Sequence, residues 1–300
     1  MQIVPVLGIG ALRIFQSSIN KQTSKYMTEK SLYVRYGFYF EALAGICSLF
    51  YLFLAGLNGF NLPTLLCAML TGACFFVEFS TSLKAMRSAP LALCTLCSLG
   101  GGIIIPAIIG IFYFNEPLSI WQWLGVLLFF ISAYFLMPSE SKKMQIQPKA
   151  LAVLLINFLV NGACGFIGKY FAVKIPSGNV AMFSFLSYAF ASIFFGLLVL
   201  IQFYQSKCES NEKLQEPQAP FPKPLYLWGI AVGAVCATIV YFSTVFSRTI
   251  PIVILNTIPN AMCMIGSLII GVCLFHEKLT LKKCLGILLS ALSTTIIILL

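Results

Sequence analysis

Apolar residues run along this chain in ten long stretches with short polar breaks between them, a pattern that predicts ten helices. The stretches lie near 2–22, 36–57, 62–83, 90–113, 119–137, 150–172, 179–203, 224–247, 251–274 and 280–300. Each approaches the roughly 20 apolar residues that a helix needs to cross a bilayer. The breaks carry turn chemistry: Asn58-Gly59, Pro138-Ser139-Glu140, Pro176-Ser177-Gly178 and Pro251. Only the connections 23–35 and 204–223 exceed about ten polar residues. The second, rich in Glu, Gln, Lys and Pro, reads as a disordered surface loop. Lipid offers backbone groups no hydrogen-bond partner, so every span must be a helix that satisfies its own N–H and C=O groups. The expected class is an all-α integral membrane protein.

Composition narrows the chemistry. Of 300 residues, 59% are apolar and only 9% charged, against roughly a quarter charged in a soluble domain. One His, nine Glu and no Asp leave too little for most metal sites, hydrolytic triads or paired-carboxylate centres. Neither an enzyme nor a metal or other cofactor is expected. The net charge of +10 does not point to nucleic acid, because the basic residues sit in short runs between apolar stretches, as at an anionic leaflet. Cys94 and Cys97 have C-x-x-C spacing but fall inside a span, where they read as small apolar packing residues. The first stretch has no basic n-region and no small-residue cleavage site before it, so it reads as a retained span.

The chain repeats itself at an offset of 161 residues. Positions 87–132 align with 248–293 without a gap, with 14 identities in 46 positions, including charged and turn residues that apolar bias cannot supply. Arg87-Ser88-Ala89-Pro90 meets Arg248-Thr249-Ile250-Pro251. Phe114-Asn115-Glu116-Pro117-Leu118-Ser119 meets Phe275-His276-Glu277-Lys278-Leu279-Thr280. The block covers spans 4–5 and 9–10, so each copy holds five spans: 1–137 and 150–300, joined by 138–149. Five is odd, so the copies enter the membrane in opposite directions. Inverted repeats of this kind place a substrate site near midplane between the halves.

Two five-helix repeats, each closing with Phe-x-Glu-x-Leu-Ser/Thr and then a Leu-Gly pair, resemble the EamA-type members of the drug/metabolite transporter superfamily. The likeness covers the whole chain in architecture, with its motifs confined to 87–132 and 248–293. It implies a carrier of amino acids, other metabolites or drugs, with a cavity lined mainly by the first four helices of each repeat.

Charge counting orients the chain. The connections after odd spans hold 15 Lys and Arg, while those after even spans hold only Lys174 and Arg248. The positive-inside rule then places odd connections in the cytoplasm and both termini outside a plasma membrane. Many EamA-type proteins have the opposite bias, and here the charges are followed.

Charge inside a span is expensive, about 2.5–3.5 kcal/mol each at the helix centre. Arg13, Glu41 and Glu78 lie at similar depth in spans 1, 2 and 3, which suggests that they meet or share one cavity. Two carboxylates against one guanidinium would leave one for proton coupling or cation binding; the bland reading is a structural ion pair. Arg13, Gln16, Ser17 and Asn20 share one helix face, as do Asn157, Asn161 and Lys169 in span 6. Interhelical hydrogen bonding would explain those faces without function. In spans 4 and 9, Thr95 and Ser98 correspond to Asn256 and Pro259, with Asn260 beside them and Gly100-Gly101-Gly102 following in span 4. Glu116 and Glu277 read as turn residues before a span, with Ser119 and Gln122 a capping box and Thr280 an N-cap.

These readings converge on a secondary active carrier that exports a small organic solute, with protons as a candidate coupling ion. No phosphate-binding loop is present for ATP to drive it. A lipid or lipid-linked-sugar flippase of the same fold is the alternative. A membrane-embedded enzyme or a passive channel is further off.

Overall fold

The computed structural model describes residues 3–24, 26, 30–88, 91–116, 118–136, 148–209, 221–275 and 280–299. They form ten helices: α1 Ile3–Ser24, α2 Lys30–Ala55, α3 Leu62–Ser88, α4 Leu91–Phe114, α5 Ile120–Leu136, α6 Pro148–Lys174, α7 Val180–Glu209, α8 Lys223–Phe246, α9 Ile252–Phe275 and α10 Leu281–Leu299. No strand occurs among the described residues. One helix falls on each expected span. Six of the ten are long and apolar enough to cross a membrane, and α5 and α9 carry shorter apolar stretches. Large apolar side chains such as Phe53, Phe112 and Ile120 stand more than 70% exposed. Water would not tolerate so much apolar surface; lipid does. The chain is a multi-pass, all-helical membrane protein.

Helix ends follow local chemistry. Asn61 Oδ1 accepts from the Thr64 N–H at 2.8 Å and starts α3; Asn179 Oδ1 accepts from the Ala181 N–H at 2.9 Å and starts α7. Ser119 and Gln122 exchange two 3.1 Å bonds, the expected capping box of α5. The Lys283 N–H donates to Thr280 Oγ1 at 3.4 Å, the expected cap of α10. Gly59 has φ +84°, and a Cβ there would lie 2.7 Å from the Asn179 nitrogen. That turn therefore needs glycine.

Two compact units result, each drawing on both the 1–137 and 150–300 segments. The first comprises 1–17, 77–174 and 242–300. Its core joins Ile103 and Ala107 of α4, Val126 and Phe129 of α5, Ile252, Val253 and Ala261 of α9, and Ile297 of α10. Ser293 Oγ of α10 donates to the Gly125 carbonyl of α5 at 2.7 Å. Glycines let the other helices close in. On α1 and α9, Gly10 faces Met262 and Gly266 faces Ile14; on α4 and α6, Gly101 faces the Phe158 backbone and Gly162 faces Ile105. Met262 and Gly266 stand 161 residues after Gly101 and Ile105. Phe158 and Gly162 stand 148 residues after Gly10 and Ile14.

The second unit comprises 18–76 and 175–241. Gly72 of α3 faces Ser187, Phe190 and Ala191 of α7, while Gly233 of α8 faces Leu43 and Ala44 of α2. Gly233 stands 161 residues after Gly72 and Ala191 stands 148 after Leu43, so this contact also recurs. Tyr51 of α2 stacks on Tyr241 of α8 at 4.5 Å and shares a 2.7 Å hydrogen bond with Thr238.

A polar network in the first unit as the candidate functional site

Five helices of the first unit bring polar groups into one connected set. Arg13 of α1 donates from Nη1 to Asn260 Oδ1 of α9 at 3.1 Å. The backbone supports this crossing, since Cys263 Sγ donates to the Arg13 carbonyl at 3.4 Å. Glu78 of α3 is half-buried in the same unit, where the Arg13 charge and the Asn161 amide of α6 act on its carboxylate. Asn161 Nδ2 further donates to Ser98 Oγ of α4 at 3.1 Å. One turn away, buried Asn157 donates from Nδ2 to Thr81 Oγ1 at 3.0 Å, to Ser82 Oγ at 2.9 Å and to the Glu78 carbonyl at 3.4 Å. Asn157 therefore fixes the stretch of α3 that carries Glu78.

The helices themselves help to hold this set. Asn157 and Asn161 are four residues apart on α6 and share a face, as do Asn256 and Asn260 on α9. Asn256 is half-buried opposite Gly165 of α6, where a Cβ would lie 3.4 Å from its Nδ2 and 3.1 Å from Pro106 of α4. Pro259 cannot donate to the Leu255 carbonyl, nor Pro106 to that of Gly102, so both helices carry a carbonyl without its helical donor. Gly102 has open space where a Cβ would be, unlike its neighbour Gly101.

Of the residues singled out in the sequence, Arg13, Glu78, Ser98, Asn157, Asn161, Asn256 and Asn260 all belong to this unit. Gln16 is half-buried on α1. Asn20, assigned to the same polar face, is exposed and belongs to the second unit. Glu41 is buried in the second unit. The side chains of Arg87 and Thr95, together with Pro90, Pro117 and the turn 276–279, lie outside the described residues.

Glu116 does more than precede α5. Its Oε1 pairs with Lys169 Nζ at 2.6 Å, and its Oε2 accepts from the Ile252 N–H at the start of α9 at 3.1 Å. A carboxylate there complements the positive end of the helix dipole. Lys169, 3% exposed, also donates to the Ile250 carbonyl at 3.2 Å and lies over the Phe114 ring. Sequence reasoning assigned Glu116 to its own turn. The signal for the pairing was Lys169, which the sequence places on the polar face of span 6 with Asn157 and Asn161 without joining it to Glu116.

No family model matches the chain, and no curated protein matches it. Comparison with solved structures finds a crystal structure of similar fold, described only as that of a protein. It matches with a TM-score of 0.71 and 13% identity, over 98% of this chain and 97% of its own. That likeness extends the helical architecture to a known fold and carries no chemistry with it.

Proposed function

We propose that the protein is a secondary active carrier of a small organic solute, built from two five-helix repeats inserted in opposite directions. The observation that carries this reading is the network of Arg13, Glu78, Ser98, Asn157, Asn161 and Asn260 on α1, α3, α4, α6 and α9. Charged and amide side chains on spans are expensive unless they serve a path or each other. The repeated contacts support the repeat reading. Pairing of α1 with α9 matches pairing of α6 with α4, as expected if two halves exchange places about a two-fold axis. The resemblance to EamA-type transporters agrees with this, and export across the plasma membrane is the direction it favours. Glu78 is the proposed coupling carboxylate; Arg13, Asn256 and Asn260 are proposed to contact the solute. The 15-to-2 bias of basic residues favours external termini.

The test is flux in reconstituted vesicles under an imposed pH gradient, against amino acids, amines and drugs. Glu78→Gln should abolish pH-coupled flux in protein that still inserts, because the amide keeps the shape and loses the titratable charge. Asn256→Ala should weaken solute affinity and leave pH dependence intact. Unchanged flux in both variants would move the site elsewhere. Lipid scrambling in place of solute flux would favour the flippase.

A further inference from the structure

We propose that the Glu116–Lys169 clasp is a gate of the carrier, closed in this structure and broken each time the site opens at that end. This rests on the carrier reading above and names two residues that govern access to its site. On the topology proposed there, the gate is the outer one. The clasp joins three helix ends, all within the first unit. Glu116 follows α4. Its Oε1 pairs with Lys169 Nζ of α6 at 2.6 Å, and its Oε2 accepts from the Ile252 N–H that starts α9. Lys169 completes the ring by donating to the Ile250 carbonyl at 3.2 Å. The backbone aims the carboxylate. Asn115 takes a left-handed conformation, φ +52°, and the Glu116 N–H donates to the Gly110 carbonyl at 3.0 Å. Gly110 lets α9 come close: a Cβ there would lie 3.1 Å from Ile252 Cγ2 and 3.6 Å from Glu116 Oε2.

Position gives the clasp its task. One turn deeper, the same three helices meet at Gly165, where a Cβ would lie 3.1 Å from Pro106 and 3.4 Å from Asn256 Nδ2. Asn256 is a proposed solute contact, so the clasp stands between it and the membrane face. Pro106 breaks the hydrogen-bond ladder of α4, which gives the end of that helix a place to bend. The chemistry suits a reversible contact. A buried ion pair offsets its desolvation only while its geometry is good. Once parted at the end of the span, where Glu116 is already 22% exposed, each charge regains water. Apolar contacts could not be exchanged for hydration in this way. The sequence also carries the two charges twice. Lys21 stands 148 residues before Lys169 and Glu277 stands 161 after Glu116, the offsets that the glycine crossings follow. The side chains of Lys21 and Glu277 lie outside the described residues.

The experiment uses the full chain with Cys164 as its only native cysteine. Cys164 lies on α6, five residues before Lys169 and so about 7.5 Å deeper in the helix. An impermeant maleimide is applied to intact cells and to inside-out vesicles, and modification of Cys164 is read by mass. Glu116→Gln/Lys169→Met removes both charges and strands neither, so it should melt near the wild-type temperature. Its Cys164 should nevertheless react from outside at least tenfold faster than with the clasp intact. A purely structural pair would restore stability and protection together, so unchanged labelling from both faces would overturn the gate. Should that variant fail to fold, Glu116→Cys/Lys169→Cys serves the same purpose. Bridging its two thiols with a bifunctional thiosulfonate should slow labelling of Cys164 at least tenfold, and reactivity indifferent to the bridge would overturn the gate. Faster labelling from the inner face alone would uphold the gate and invert the topology. Labelling needs no solute. The predicted change in a protein that moves none of the amino acids, amines and drugs tested would therefore uphold the gate and sink the carrier. Flux without that change would do the opposite.

Discussion

Asn157 is the residue whose loss should be felt most locally. One side-chain NH2 group serves Thr81, Ser82 and the Glu78 carbonyl, so two hydrogens are shared among three acceptors. Hydrogen bonds between helices in lipid average well under 1 kcal/mol each. Asn157→Ala should therefore lower stability by about 1 kcal/mol, read as a modest fall in melting temperature in detergent. Its effect on flux should be larger, because Glu78 loses its anchored turn. Asn157→Asp should not rescue flux, since a carboxylate cannot donate to those three acceptors. Each member of this network was visible in the sequence as a polar residue within an apolar run. Which of them touch was not visible, because helical spacing assigns a residue to a face and says nothing of the helix opposite. Arg13 illustrates this: its partner Asn260 lies 247 positions away.

At the scale of helices, the clasp of Glu116 with Lys169 ties the α4–α5 turn to α6 and to the start of α9. Removing one partner strands a buried charge. Glu116→Gln should destabilise by about 3 kcal/mol, the lower end for a broken buried pair because Glu116 is 22% exposed. Pairing it with Lys169→Met should restore most of that loss, measured as a double-mutant cycle of thermal unfolding. The glycine crossings give a paired test. Gly101→Ala would set a methyl against the Phe158 carbonyl and force α4 from α6, at about 1–3 kcal/mol. Gly102→Ala, next door, meets open space and should be neutral or gain up to about 1 kcal/mol from reduced chain entropy. Helix positions were legible because a bilayer imposes one element type and one length. Their ends were less so. The helix α2 begins at Lys30, inside the connection read as 23–35, and α7 runs to Glu209, past the expected end at 203. Apolar runs mark where lipid ends, whereas helical hydrogen bonding continues until a cap or breaker stops it.

For the whole molecule, orientation is open to direct measurement. Ser177→Cys lies in an even connection and Gln215→Cys in an odd one. In a background without accessible native cysteines, an impermeant thiol reagent should label the first in intact cells and the second only after permeabilisation. The reverse result would invert the proposed topology. The 161-residue repeat was readable only where charged and turn residues interrupt the apolar background. Earlier helices hide it, because their register is shifted to 148 by the unequal connections after the second and seventh spans, and apolar matches alone cannot reveal such a shift. On the proposed reading of two five-helix repeats, the glycine crossings also constrain ancestry. Gly10 meets Met262 where Phe158 meets Gly101, and Ile14 meets Gly266 where Gly162 meets Ile105. Bulk and hollow have changed sides between the two copies. A polypeptide holding only the first half, paired with a second copy of itself, would set glycine on glycine at one crossing and isoleucine on isoleucine at the next. Two copies of the second half would fail at the same places, in the opposite sense. Each half has become the mould of the other, so the present chain cannot revert to a dimer of identical halves.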